Sequence, residues 1–299
     1  MHQKRMRPGA IRFTTLDAAL LLLVTGAGGF FVYRAAIGLD YNWNWSVLPQ
    51  YIIRWDATSG EWFAGMLLKG LFTTLRLSLW GGLLASIIGT GAGLLRVSRR
   101  LFWRQLSGTY VGLVRNTPPL VIVFVFYYFI GDQIMNALGM VELSYTLAEQ
   151  QHWFLETLLG PVEQLPQLLS AIITIALFEG AYIAEIVRAG IESVETGQWE
   201  ASCALGFTRF QQMAYIIMPQ AMQRMLPALA GQFISTIKDS AIVAVISIQE
   251  LTFQGLQLMT TTYRTFEVWI TVLCMYFVLT FLCSLLVRNL ELRMNRGKG

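Results

Sequence analysis

Six runs of mainly apolar residues, each near the roughly twenty that carry an α-helix through a hydrocarbon layer, dominate this chain. They fall near residues 15–33, 66–95, 109–130, 168–187, 226–248 and 268–287. Composition agrees with such spans. Of 299 residues, 55% are hydrophobic and only 13% charged, whereas a soluble domain is about a quarter charged. The expected fold class is an all-α integral membrane protein with about six transmembrane helices. The first run follows Lys4, Arg5, Arg7 and Arg12, as a signal peptide would. No small-x-small cleavage pattern closes it, so an uncleaved helix is expected.

Basic residues set the expected direction of the spans. Arg96, Arg99, Arg100 and Arg104 follow the second run, and Arg188, Arg209 and Arg224 bracket the segment after the fourth. Arg288, Arg293, Arg296 and Lys298 end the chain. The stretch 132–167 holds no Lys or Arg, but does hold Asp132, Glu142, Glu149, Glu156 and Glu163. Six crossings put every strongly basic segment on one side, so a multi-pass protein with both termini cytoplasmic is expected. The net charge of +4 then records topology, and no nucleic-acid partner is implied: no basic stripe carries interleaved aromatics. Tyr41, Trp43, Trp45 and Trp55 suit either an interfacial belt or contact with an external partner.

Several chemistries are disfavoured. Cys203, Cys274 and Cys283 match no metal-ligand spacing, and His2 and His152 are the only histidines. No Walker loop, HExxH or Gly-x-Ser-x-Gly elbow occurs, so neither ATP hydrolysis nor a hydrolase is expected of this chain. The expected organisation is three-part. Residues 1–62 form a basic tail, an extra helix and an external aromatic linker. Residues 63–290 form the transmembrane domain, with a cytoplasmic loop at 192–219, and residues 291–299 form a basic tail.

That loop reads as two short helices. Gly197 is expected as an N-cap with Glu200 at the third position, and Gly206 as a left-handed stop. Thr208 with Gln211 makes a capping box, and Pro219 limits extension. Ala201, Ser202 and Ala204 are small, and Trp199, Leu205, Phe207 and Phe210 add apolar area. Such a helix suits docking into a partner's groove or lying on lipid.

Glu200-Ala201-Ser202, three residues, Gly206, nine residues, then Ile216-Ile217-Met218-Pro219 resembles the EAA loop of ABC-importer permeases, E-A-A-x3-G-x9-I-x-L-P. Ser202 and Met218 depart mildly from it. Arg115-Asn116-Thr117-Pro118-Pro119-Leu120 is similar to the R-G/N-T-P-L signature of polar amino-acid permeases. Residues 181–190 resemble the helix leading into their coupling loop, and Lys238-Asp239-Ser240-Ala241-Ile242 resembles their K-D-T-S-L. The resemblance covers about residues 65–289. It implies a five-helix type I core with an added first helix, in a bacterial cytoplasmic membrane. It also implies separate ATPase subunits that bind ATP and Mg, an extracytoplasmic solute-binding protein, and a second permease chain, identical or related. Gly197, Gln198, Glu200, Ala201, Ser202, Gly206 and Pro219 would then couple this chain to the ATPase.

Charges within spans are expected to face protein or an aqueous cavity. Arg115, Asn116, Thr117, Glu179, Tyr182, Lys238 and Asp239 are the candidate substrate-pathway residues. Glu179 and Tyr182 share a helix face, and Glu179 either meets an amino acid's ammonium or pairs with Lys238. Thr117-Pro118-Pro119 should break or kink its helix. Lys69 and Arg76 are placed to snorkel to the surface, as is Arg115 near the start of its span, where snorkelling is the alternative to a pathway role. Glu185 and Arg188 are placed to brace the coupling segment. The rival to a permease subunit is a self-sufficient ion-coupled secondary transporter or channel, which needs no ATPase dock.

The six-span topology predicts the outcome of cysteine labelling from outside, with Cys203, Cys274 and Cys283 replaced. A probe at Glu149 should react and one at Arg100 should not; the opposite pattern would overturn the orientation.

Overall fold

The computed structural model describes residues 14–38, 41–58, 60–148 and 153–296. His2, Lys4, Arg5, Arg7, Arg12, Glu149, His152 and Lys298 lie outside the described residues. Two units form, 1–45 and 46–299. The first contains α1 (Thr15–Gly38), the expected first helix. Its apolar stretch, Thr15–Phe30, is shorter than the others.

The second unit begins with α2 (Pro49–Ile52) and an antiparallel hairpin, β1 (Ile53–Asp56) and β2 (Glu61–Ala64). Asp56 nucleates the turn by accepting the Thr58 amide at 3.0 Å and hydroxyl at 2.7 Å. Trp55 sits opposite Trp62 across the strands, ring centroids 5.1 Å apart. The hairpin straddles the expected boundary at 62/63, and Leu48 and Tyr51 pack with Leu67 and Leu251 of the bundle. By its contacts this segment belongs with the bundle, not with the first helix.

The bundle then runs through α3 (Met66–Arg96), α4 (Leu101–Asn116), α5 (Pro119–Val125), α6 (Asp132–Ala137), α7 (Met140–Ala148), α8 (Trp153–Leu159) and α9 (Leu165–Glu192). After these come α10 (Thr196–Ala204), α11 (Arg209–Gln211), α12 (Met218–Asp239), α13 (Leu251–Thr262) and α14 (Thr265–Arg296). Among the described residues, five stretches are long and apolar enough to cross a membrane: Met66–Arg96, Pro119–Ala137, Val162–Glu192, Arg209–Ile246 and Thr265–Asn289. These replace the last five expected runs, with shifted bounds.

The largest shift has a clear cause. Thr117 is extended, as a residue before proline must be, so α4 stops at Asn116 and Pro119 starts α5. The expected span 109–130 is therefore divided, and the crossing helix is Pro119–Ala137, carried by a π-turn at Phe126–Gly131. Its 19 residues reach about 29 Å at 1.5 Å each, enough for a hydrocarbon core.

The centre of the bundle is α9. Of the apolar window in Val162–Glu192, 72% is buried within the chain, against 6% in Thr265–Asn289. Its main partner is α3, through Gly81, Ala85, Gly89 and Gly93, one small residue every fourth position. A Cβ added at Gly89 would fall 2.6 Å from Ile183 Cβ, and one at Gly93 2.7 Å from Val187 Cβ. From α9, Gly180 returns the close approach, against Ile88 and the Tyr110 hydroxyl. Such backbone contact is how helices associate where lipid tails are as apolar as the side chains.

The described residues within 132–167 are mainly helical, and the connection is shorter than expected because 132–137 and 162–167 belong to spans. Arg76 does not snorkel. Its Nε donates to the Thr157 carbonyl at 3.1 Å and Nη2 to the Glu156 carbonyl at 3.0 Å. Trp80 donates to the Leu158 carbonyl at 3.1 Å. These carbonyls belong to the last turn of α8, where helical partners run out; Glu156 also accepts the Gly160 amide at 2.9 Å.

Gly89→Ala should lower the thermal stability of the detergent-solubilised protein by about 1–3 kcal/mol through overpacking. Gly91→Ala, where nothing lies within 4 Å of the added Cβ, should leave it unchanged or raise it slightly. Equal effects at the two glycines would remove the seam from the folding argument.

Candidate functional site

At the basic end of the bundle, α10 projects between α9 and α11. Its N-cap is Glu195 rather than Gly197, which lies inside the first turn. Glu200 is consequently the fifth helical residue, beyond the free amides of the first turn. Its exposed carboxylate is available outward instead. The expected stop is present. Gly206 has φ +77°, its amide donates to the Cys203 carbonyl at 3.0 Å, and Phe207 donates to the Ser202 carbonyl at 3.2 Å. This pair of bonds is a Schellman motif.

The Thr208–Gln211 capping box also forms, in both directions. Pro219 does not stop the helix that follows. A π-turn at Gln212–Ile217 widens the chain just before it, and α12 continues to Asp239. The widened turn takes up the register that the missing proline amide would otherwise break.

Only part of the small-residue set faces outward. Ser202 is buried, and its hydroxyl donates to the Trp199 carbonyl at 2.9 Å. Trp199 packs on a core that includes Val194, Ile217 and Ala221. Gln198 accepts from Gln220 at 3.2 Å, tying α10 to α12. Glu200, Ala201, Leu205 and Phe210 remain exposed, the last two 75% and 76%. The helix is firmly seated and presents an apolar outer face.

The segment behind it is braced by ions. Glu185 receives Arg96 at 2.7 Å, Arg115 at 3.7 Å and Arg188, which also pairs with Glu192. Arg224 donates to the Ser193 carbonyl. Three guanidinium groups from α3, α4 and α9 thus meet one carboxylate. The pairs are partly exposed, so each contributes modestly, but together they fix where three helix ends lie.

Further along α9, a cavity of about 480 Å³ opens among Pro119, Phe178, Tyr182, Gln232, Ser235, Lys238, Asp239 and Ile242. Arg115 lies at its edge, its guanidinium 5.7 Å from the centroid of the Tyr182 ring. Tyr182, Lys238 and Asp239 therefore converge as expected. Asn116 and Thr117 do not line the cavity: the Asn116 amide donates to the Gly112 carbonyl at 2.8 Å, closing α4.

Glu179 is fully buried and is not paired with Lys238. Its Oε2 accepts from Gln232 Nε2 at 2.6 Å, while Oε1 has no partner. The carboxylate thus reaches the cavity wall through Gln232 and also lies beside Asp239. Sequence reasoning missed Gln232 and Ser235; their signal was available as polar residues three and four positions apart, on the face that reaches Asp239. It also missed Glu250, the buried N-cap of α13. That carboxylate accepts from the Phe253 and Thr252 amides at 2.8 and 2.9 Å and from the Tyr276 hydroxyl at 2.7 Å. Burial pushes its pKa up, against the pull of these bonds.

A multi-pass bundle with a polar internal cavity and a protruding capped helix is the architecture of a transport permease. Residues 81–296 match the family described as binding-protein-dependent transport system inner membrane component, and the chain belongs to that family. It is a membrane-embedded permease subunit and not an enzyme. It is 31% identical over 229 residues to the glutamine transport system permease protein GlnP of Escherichia coli (strain K12), covering 77% of this chain and 93% of that protein. It is 33% identical to the nopaline transport system permease protein NocM of Agrobacterium fabrum, covering 77% and 88%. A solved amino acid ABC transporter, crystallised with histidines, superposes with TM-score 0.61 at 30% identity, covering 85% of this chain and all of that one.

Glu179→Gln retains the volume but lets the side chain donate as well as accept, so Gln232 loses its fixed orientation. Uptake by the assembled transporter should fall about ten-fold, within the range of a charged hydrogen bond, with assembly intact. Failed assembly without a selective uptake defect would make Glu179 structural only.

Proposed function

We propose that this chain is the permease subunit of an ATP-binding-cassette importer that carries polar amino acids into the bacterial cytoplasm. Its two termini and α10 face the cytoplasm. Separate ATPase subunits hold ATP and Mg, a solute-binding protein delivers the amino acid outside, and a second permease chain, identical or related, completes the pathway. The observation that carries the reading is α10 itself. The segment is anchored inward by Trp199 and Ser202, stopped by Gly206, and presents Glu200, Ala201 and Leu205 outward.

The substrate class rests on the cavity and on the relatives named above. A cavity bearing both Lys238 and Asp239 suits a ligand with both a carboxylate and an ammonium group. Arg115, at the edge, adds a second cation on the carboxylate side. The Glu185 network holds the cavity's helices in register with α10, so ATPase movement at one reaches the other.

Glu200→Ala and Gly206→Val should leave membrane insertion intact, since both residues are exposed. Gly206→Val places a side chain at φ +77°, which costs about 1–2 kcal/mol and misdirects the helix end. Both variants should weaken co-purification of the ATPase or abolish hydrolysis stimulated by binding protein and substrate. If both behave as wild type and the purified chain transports alone on an ion gradient, the importer reading fails.

A further inference from the structure

A second, smaller cavity of about 290 Å³ lies at the end of the bundle remote from α10. Its polar walls are Tyr127, Gln164, Gln167, Ser247 and Gln249, over an apolar floor that includes the buried Leu168 and Ile246. Among the described residues, none of these five polar side chains hydrogen-bonds within the chain. Each glutamine offers two donors and an acceptor, so three amides and two hydroxyls border one hollow. Tyr127 and Gln164 are half-buried, while Gln167, Ser247 and Gln249 are open to solvent and accessible to a solute. None carries a charge near neutral pH.

Ser247 adds a second, independent sign. It has φ +63° and closes the 3₁₀ segment Ser240–Ile246, donating its amide to the Ala244 carbonyl at 3.0 Å, with Ile248 donating to Val243. Glycine is the unstrained choice at a left-handed helix end. A serine there bears the strain and gains a hydroxyl on the cavity wall, and strain of this kind clusters at functional sites.

The two cavities are stacked along the same three elements. Pro119 and Tyr127 belong to one span, Tyr182 and Gln167 to α9, and Ile242 and Ser247 to the end of the α12 span. Between them in sequence along these elements stand Val123, Ile172, Ile175 and Val243, members of one buried apolar cluster. A polar solute in the outer cavity is therefore held one apolar layer away from the charged inner one.

We infer that the outer cavity is a second amino-acid site, neutral and weak, occupied before the solute passes inward; this rests on the amino-acid reading above. Amides meet an ammonium through their carbonyl oxygen and a carboxylate through their NH₂, so a zwitterion is bound without an opposing charge. A site lacking an ion pair releases its ligand readily, as a waypoint must.

The test uses the assembled transporter, with radiolabelled L-glutamine as probe. Equilibrium dialysis in nanodiscs should count two sites per permease chain. The double variant Gln164→Leu/Gln249→Leu should leave only the inner site, and Asp239→Asn only the outer. In proteoliposomes with saturating binding protein, the double variant should raise the apparent KM for uptake about three- to ten-fold, the range of one or two lost hydrogen bonds, with kcat near wild type. Ser247→Gly, which relieves strain and keeps the fold, should raise KM in the same direction. Two sites and an unchanged KM in both outer variants, with normal wild-type uptake, would make the cavity a solvated vestibule and overturn this inference alone. A wild-type transporter that neither binds nor moves glutamine or any other polar amino acid would overturn the amino-acid reading and this inference with it.

Discussion

The close approach of α3 and α9 is the contact on which the rest of the bundle depends. In lipid there is no hydrophobic gain from bringing two apolar helices together, so association needs dense packing at short range. Gly81, Ala85, Gly89 and Gly93 supply it by removing side chains along one stripe, and Ile175, Ile183 and Val187 fill the groove. Because α9 is held this way along its length, each functional residue it carries has a fixed height and direction. Larger side chains on α3 would separate the helices and displace both the cavity wall and the ion network.

Polar groups are then used sparingly, to fasten helix to helix and to close backbone deficits at helix ends. Ser107 donates to the Ala92 carbonyl at 2.7 Å and Tyr110 to the Leu177 carbonyl at 2.6 Å, fastening α4 to α3 and α9. Arg76 and Trp80 satisfy the end of α8, and Glu250 satisfies the start of α13. An unsatisfied carbonyl or amide away from water costs a few kcal/mol, so these bonds hold non-helical segments beside apolar spans. Glu179 Oε1 and Gln212 Oε1 are the exceptions among the described residues, each buried without a hydrogen-bond partner.

What the sequence made legible follows from whether the signal was local. Gly206 and the Thr208–Gln211 box were readable because a left-handed stop and a capping box are written within four residues. The break before Pro119 was readable for the same reason, though its effect on the span was underestimated: the apolar run continued through it and hid a boundary. Gly197 was misread because glycine is also a tolerated helix residue, and Glu195 took the cap. Pro219 was misread because a π-turn, set by packing of Gln212 and Ile217 in the core, overrides a local stop. The partner of Glu179 could not be read at all. Gln232 is 53 residues away, and only the helix crossing brings it within reach.

The helix that sets these contacts also joins the two ends of the molecule mechanically. Along α9, Glu179, Tyr182, Glu185 and Arg188 follow one another at intervals of three, so each neighbours the next on the helix surface. Glu179 orders Gln232 in the cavity wall, Tyr182 lines the cavity, and Glu185 and Arg188 belong to the ion network behind α10. Arg115 touches both regions, lying over the Tyr182 ring while facing Glu185 at 3.7 Å. It sits one turn before the break at Pro119, where α4 can swing relative to α5 without bending either helix. A shift of α4 that lengthens the Arg115–Glu185 separation must also change what stands over Tyr182. The cavity wall and the ion network behind α10 therefore share one helix, one cation and one proline break.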